Sequence, residues 1–560
     1  MLKKLLLYFH TVKYLRFIQI YYRIFYFIYK PNVSCTIKKN DIQKNSERPE
    51  TFIKKSKIFI NGEVATFINY SKSIANKNCW SDLTQEKLWL YNLHYFDALN
   101  AEDSAQQKIA YTLLEKWEDE NLPFEGIGWE PFPLSLRIVN IIKYALEDHC
   151  LSEKIKNSLY LQARILNKKC EYHLLGNHLF ENFKALCFAG LFFDTKESQQ
   201  WFYKGLKGLN KEIKEQILKD GGHFELSPMY HCIILEGLLD LQNIFKIYQK
   251  NFLWHKEVHN MLFWLNAMKR STTEISHFND AANSISETPE MLFQYAKKLG
   301  YQFQSESSGV SYLPESGFIT VKNNNFKIIC DVGNIGPDYL PGHAHADTLS
   351  FELYVDQIPV FVNLGTSCYG NSDRRLFERS TAAHNTVVMN DCNSSDVWSS
   401  FRVGKRARIA KLDINETLEK MTISAAHNGY KRFSKNCIHE RRWEISENLV
   451  EITDQINHPL GDIFAFFHLH PNCDIVSEAD KKIMIQLENS LKIDFESENK
   501  FSIIDSFYAN TFGDLQKTKS IKIKLESVGH ISLKYQRFPL NNSDISDHAT
   551  TFLLANSHHQ

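Results

Sequence analysis

The chain lacks a net charge: Lys plus Arg and Asp plus Glu each number 65 among its 560 residues. A protein that gathers nucleic acid or a long acidic polymer by overall attraction needs a basic excess. That class is set aside, and any anionic ligand has to be met by a local basic cleft. A cysteine framework is lacking too. The eleven cysteines are scattered, odd in number and without a Cys-x-x-Cys pair, which argues against a disulfide scaffold or zinc ribbon and for a reducing compartment or inert buried thiols. No apolar run serves as an export signal or a membrane span. Within residues 1–30 the run 5–9 is too short, no small-residue cleavage site follows, and Lys13, Arg16 and Arg23 interrupt the rest. The expected location is therefore cytoplasmic or at the periphery of a membrane. Internal repeats and low-complexity tracts are also missing.

What is present is a long, aromatic chain. At 560 residues it exceeds one ordinary core, so two domains with an N-terminal extension are expected. The aromatic share of 13% is high, which suits stacking on sugar rings and equally suits packing between helices. Residues 1–30 read as a basic aromatic helix that either contacts a membrane surface or packs on the body. Residues 31–57 read as a polar linker. From Trp80 to about Gly300, apolar residues recur at three and four spacings over 85–99, 103–118, 133–146, 152–168, 177–193, 199–218, 227–248 and 255–268, a series of antiparallel helix pairs. Periodicity does not choose between a bundle, a solenoid and a toroid. Beyond Gly300 the texture changes to short alternating strands, with a hairpin at 318–330 and further strands at 407–413, 420–425, 438–445, 449–453, 463–469, 482–487, 492–495 and 520–526, which implies layered antiparallel sheets. The expected divisions are 1–79, helix and linker; 80–303, helical domain; and 304–560, antiparallel β-sandwich domain.

Polar chemistry is densest at 341–386. This stretch holds His343, His345, Asp347, His384, Arg374, Arg375 and Arg379 between short apolar runs. Residues 350–355 alternate, 359–362 form a second apolar run, and Asp356-Gln357 makes a tight connection between them. If the backbone is extended at His343-Ala344-His345, both imidazoles point the same way. Two clusters precede this stretch. In Gly176-Asn177-His178-Leu179-Phe180-Glu181-Asn182, Asn177 and Glu181 share a helix face near its N-terminus, although Asn177 would also serve as an N-cap. In the second, Ser227-Pro228 starts a helix whose first turn presents Tyr230 either to a cleft or to the core. Tyr95, Trp129, Arg137, Asn279 and Asp280 are further cleft candidates, each also suited to helix-end packing.

The ordered motifs G-H-A-H-A-D-T-L-S-F, V-N-L-G-T, R-S-T-A-A-H-N-T-V, G-N-H-L-F-E-N and S-P-M-Y-H resemble the signature of heparinase II/III-like polysaccharide lyases over most of the chain from Trp80 onward. The resemblance implies an α+β multidomain fold, an incomplete α/α toroid followed by an antiparallel β-sandwich, and β-elimination on a uronic-acid-containing glycan. Such a reaction needs donors on the substrate carboxylate, a base for the C5 proton and an acid for the leaving oxygen. Asn177 and His178 match the donors, and Tyr230 and His343 the proton-transfer groups, the tyrosine requiring a cationic neighbour to lower its pKa. Tyr95, Trp129, Glu181, Arg137, Asn279 and Asp280 are the expected substrate contacts. His345, Asn363 and His384 match positions that hold a supporting zinc in family members. The middle ligand is commonly aspartate, and the neutral Asn363 is a weaker donor, so low occupancy is expected; Asp347 is then a candidate partner orienting a histidine. No organic cofactor is needed. The implied partner is an anionic polysaccharide or oligosaccharide, with no nucleic acid, and a periplasmic location is the alternative that the resemblance supplies. Two competing readings stay open: a glycoside hydrolase using Glu181 and Glu225, and a non-catalytic glycan-binding factor in surface-polysaccharide biosynthesis.

Overall fold

A computed structural model of the chain describes residues 2–29, 33–37, 40–55, 59–303, 308–487 and 491–537. Its helical part is organised by alternation. Helices Lys87–Tyr95, Pro131–Leu146, Gly176–Phe192 and Pro228–Ile247 pack on one another in sequence as an inner row. The intervening helices Ser104–Glu120, Glu153–Lys168, Lys196–Gln216 and His255–Met268 pack against them as an outer row. This is the geometry of an incomplete α/α toroid, and the sequence shows why the rows differ. Gly176–Phe192 is buried along almost its whole length, whereas Lys196–Gln216 buries a single stripe and exposes its lysines. Starts are fixed by side chains: Asp103, Ser152, Thr195 and Ser227 each accept a backbone N–H of the first turn. A further helix, Pro289–Lys298, begins at Thr288-Pro289 and lies outside the eight that periodicity picks out.

The N-terminal region is more structured than its polarity implies. The expected single helix is two, Leu2–Val12 and Phe17–Ile28. Residues 59–73 form a three-stranded antiparallel sheet. Part of the presumed linker is core: Phe52 and Ile53 are buried in the helical cluster, and the Glu50 backbone and the Asn243 side chain exchange two hydrogen bonds of 3.0 and 2.7 Å.

The run of long helices ends at Lys298, and from Gly309 onward strands dominate, with one short helix at Asp373–Glu378. Among the described residues of this half, a five-stranded antiparallel meander (309–361), a four-stranded sheet and an eight-stranded sheet surround one apolar cluster. Strands Phe318–Lys322 and Phe326–Asp331 pair as expected, Phe318 opposite Asp331. The Asp356-Gln357 connection joins Phe351–Val355 to Ile358–Phe361 with both residues at positive φ, 47° and 70°, as a two-residue hairpin turn demands. Arg441 ties the polar stretch to the large sheet. It is fully buried, paired with Asp454 through Nε and Nη2 at 2.8 and 2.7 Å, and donates to the carbonyl of Leu349 at 2.9 Å.

Candidate active site

Each inner helix turns the same face to the toroid axis. Leu88, Asn92 and Tyr95 come from the first, Phe132, Leu136, Asn140 and Lys143 from the second, Asn177, Glu181 and Lys184 from the third, and Tyr230, Ile233, Glu236 and Asp240 from the fourth. These three and four spacings enclose a cavity of about 350 Å³, walled on the remaining side by Phe67–Asn69, Tyr369, Thr511 and Phe512. The Asn69 side chain bridges the two halves, donating to Thr511 Oγ1 at 2.8 Å and to the Phe512 carbonyl at 2.7 Å. Three lysines line the cavity, but all are matched. Lys55 pairs with Glu236 and Glu287 at 2.7 and 2.9 Å, Lys143 with Asp240, and Lys184 with Glu181 at 2.7 Å. The floor is a closed ion network rather than a free basic patch.

Asn177 lies in the first turn of helix Gly176–Phe192 and lines the cavity. The capping role is not what the structure shows, because the N-cap position falls on Leu175, at φ 65°. Gly176, at φ +58°, suits the left-handed backbone there, and a Cβ would push on the Leu340 and Glu225 side-chain ends at 2.5 and 2.8 Å. His178 stacks on Phe132 with ring centroids 4.3 Å apart and places Nδ1 3.2 Å from Glu171 Oε1. Burial disfavours its charged form, but Glu171 and Glu225 outweigh that and raise its pKa above the ordinary histidine value.

Tyr230 follows the Ser227 cap, whose Oγ accepts its N–H at 3.2 Å. Its ring lies 4.0 Å from that of His343, and its hydroxyl is 3.2 Å from the Tyr369 hydroxyl. Burial, with Asp280 and Glu225 nearby, raises the phenol's pKa, and the Tyr369 hydrogen bond and Arg375 do not reverse it. The cationic neighbour expected to lower it is thus spent elsewhere. Arg375 makes a two-pronged pair with Asp280, at 2.7 Å through Nη2, and donates through Nε to the Ser400 carbonyl. Asp280 also accepts from His343 Nδ1 at 2.9 Å and from His345 Nε2 at 2.8 Å. Burial opposes its charge, yet Arg375 and the two imidazoles hold its carboxyl well below the usual range. An ionised Asp280 only accepts, so His343 carries a proton on Nδ1, and its Nε2 lies 3.8 Å from Glu225 Oε2.

The same logic applies one layer deeper. His345 donates from Nε2 to Asp280, and His384 donates from Nδ1 to the Ser380 carbonyl at 2.7 Å. Each then has a lone pair on its other nitrogen, and those nitrogens, His345 Nδ1 and His384 Nε2, face each other at 3.1 Å. Two facing lone pairs repel unless a cation lies between them, so this donor set fits a proton or a metal ion. Asn363 is fully buried beside them, its Oδ1 accepting the Asn385 N–H at 3.2 Å and its Nδ2 without a partner. Among the described residues no group of three His, Cys, Asp or Glu could hold a metal.

Of the expected substrate contacts, Tyr95 and Glu181 line the cavity. Four do not. Arg137 is fully buried on the Trp117 ring and spends its donors on Gln162, His94 and Gly128. Trp129, 3% exposed, packs between Trp117 and Phe124. Asn279 clamps the Leu226 carbonyl and the His345 N–H. Asp280 is the hub beneath the histidines and positions them. Sequence reasoning also missed Glu171 and Tyr369, and gave no role to Arg375 or, outside the hydrolase pair, to Glu225, whose buried Oε2 accepts no hydrogen bond. Only the adjacency of Glu225 to the Ser227-Pro228 helix start signals it.

These features define a class: α/α-toroid proteins with an antiparallel β-sheet domain and a tyrosine–histidine pair where the two meet. Residues 123–307 match the family described as Heparinase II/III N-terminus, and residues 306–546 match Heparinase II/III-like, C-terminal. The chain belongs to the heparinase II/III-like family. Among curated proteins it is 28% identical over 248 residues to a heparin-sulfate lyase of Bacteroides stercoris, 40% of this chain and 37% of that relative. It is 27% identical over 267 residues to a heparin-sulfate lyase of Pedobacter heparinus, 42% and 39% of the respective lengths. The matches thus span well under half of these relatives. Among solved structures, heparinase III aligns over 91% of this chain and 88% of its own with TM-score 0.65 at 17% identity. Heparan sulfate lyase HepC from Pedobacter heparinus aligns over 84% and 80% with TM-score 0.55 at 16% identity. At such identities the likeness shows the fold.

Proposed function

We propose that this chain is a polysaccharide lyase that cleaves a uronic-acid-containing glycan by β-elimination. The observation that carries the proposal is the Tyr230–His343 pair, in ring contact at 4.0 Å with His343 Nδ1–H held by Asp280. With Nδ1–H held by Asp280, the neutral imidazole of His343 would offer Nε2 as the base, beside a phenol that burial keeps protonated. In this reading the uronate carboxylate lies against Asn177 and His178, which stabilise the charge that develops when C5 loses its proton. His343 takes that proton, the C5–H electrons form the C4–C5 double bond, the C4–O4 bond breaks, and Tyr230 protonates the leaving oxygen. The imidazolium then returns its proton through solvent and the phenol is restored. A raised phenol pKa suits an acid better than a base. Names of the relatives, heparin-sulfate lyases, agree with an anionic glycan as substrate.

What weighs against the hydrolase reading is that Glu181 is buried and ion-paired with Lys184 at 2.7 Å, leaving Glu225 without a free partner carboxyl. His345 and His384, with the amide oxygen of Asn363, would hold a zinc ion. When bound, the ion would supply a fixed positive charge that locks both imidazoles. His345 would then hold Asp280, and through it His343, in one orientation. The test is ultraviolet detection of an unsaturated product from a panel of uronate polysaccharides. Reducing ends appearing without that absorbance would identify a hydrolase instead.

A further inference from the structure

The two N-terminal helices are apolar on the side that faces away from the protein. In Phe17–Ile28, Tyr22 stacks on Tyr172 at 4.6 Å and the Tyr26 hydroxyl donates to the Cys170 carbonyl at 2.6 Å, so one face is packed on the body. The opposite face is Phe17, Ile20, Tyr21, Ile24, Phe27 and Ile28, a stripe at helical spacing, with Phe17 80% and Phe27 88% exposed. Helix Leu2–Val12 adds Leu5, Phe9 and Val12, at i, i+4 and i+7, all exposed. Ordinarily such stripes face a core; left exposed, they mark an interaction site.

Charge decides what covers it. Residues 1–30 contain Lys3, Lys4, Lys13, Arg16, Arg23 and Lys30 and no Asp or Glu; of these, Arg16 is paired with Glu215 of the body. The neighbouring hairpin Val397–Val403, on which the first helix rests through Tyr8 and Trp398 (ring centroids 4.9 Å apart), adds Arg402, and Lys405 follows, both exposed. Neither helix is long enough to cross a bilayer, and no described helix qualifies as a span. Aromatic and aliphatic side chains flanked by cations and free of acids are the chemistry of a helix lying in a lipid headgroup layer.

We infer that the outer face of helices Leu2–Val12 and Phe17–Ile28 docks on the surface of an anionic lipid bilayer. The face lies close to the cleft, because the same hairpin carries Phe401, whose ring is 5.9 Å from that of His343. A docked protein therefore holds its site beside the membrane. This inference does not depend on the reaction proposed above.

The experiment is flotation of the full chain with vesicles of phosphatidylcholine alone or mixed with phosphatidylglycerol. The expected result is association with the mixed vesicles about tenfold or more tighter than with the neutral ones, weakening as salt rises. The triple variant Phe17→Ser, Phe27→Ser, Ile28→Ser changes only exposed side chains. It should lose about tenfold or more in vesicle binding with an unchanged melting temperature. Lys4→Glu, Lys13→Glu, Arg23→Glu should abolish the preference for anionic lipid. If the serine variant fails to fold, the lipid and salt dependence of the unaltered chain decides the matter. Equal failure to float with either vesicle overturns the proposal. So does a dimer in light scattering that the serine variant converts to monomer, which would assign the face to a second copy of this chain.

Discussion

Replacing Asp280 with asparagine should disable the site without removing any group that touches substrate. The carboxylate accepts from His343 Nδ1, from His345 Nε2 and from both Nη atoms of Arg375. An amide has one accepting oxygen and one donating nitrogen, so it cannot satisfy all of these donors. If its nitrogen faces His343 Nδ1, that imidazole must move its proton to Nε2 and lose the lone pair that serves as base. In a serine-protease triad the equivalent substitution costs about 10⁴ in kcat through the wrong tautomer, and a loss of about 10²–10⁴ is expected here. Arg375 is left buried without its paired carboxylate, and breaking a buried pair from one side costs roughly 3–5 kcal/mol. The assay is the initial rate of unsaturated-product formation, with thermal melting measured on the same preparation. The kcat should collapse while KM changes little, because Asn177 and His178 still receive the carboxylate. A folded Asp280→Asn protein that keeps its rate within about threefold of the parent, against the expected loss, would refute the claim that Asp280 sets the base.

Tyr230→Phe deletes one hydroxyl and leaves the stack on His343, so turnover should vanish while glycan binding and melting stay nearly unchanged; near-native rates would remove Tyr230 from the chemistry. Glu171→Gln removes the carboxylate that raises the His178 pKa. The imidazolium should then deprotonate at lower pH, and the high-pH limb of kcat/KM should move down in pH; an unmoved limb would mean that His178 is not the group it reports. Asn363→Asp places a negative charge beside the facing His345 and His384 nitrogens, so metal content by elemental analysis should rise from below one ion per chain toward one. A full and unchanged complement in the parent would mean that a different residue completes the site.

Much of this protein is legible in its sequence. The eight helices follow from three and four spacing, because each inner or outer helix needs an apolar face and little else. The hairpin at Asp356-Gln357 follows from turn length, and Asn177, His178, Tyr230 and His343 stand out as motif residues. The sequence concealed the N-terminal sheet and the buried Phe52 and Ile53, since isolated apolar residues in a polar stretch carry no period. Arg137 and Trp129 suit a cleft or helix-end packing equally by sequence, and their neighbours in space make them core.

Local spacing alone is therefore enough to lay out the eight periodic helices and most of the later strands, and the ordered motifs mark the side chains that the proposed reaction uses. What only the tertiary structure decided is the state of those side chains. Asp280, His343, His345 and Arg375 come from segments up to 95 residues apart. Their proton positions are set by which donor meets which acceptor, and that is fixed only when the toroid and the β-sheet domain close on one another.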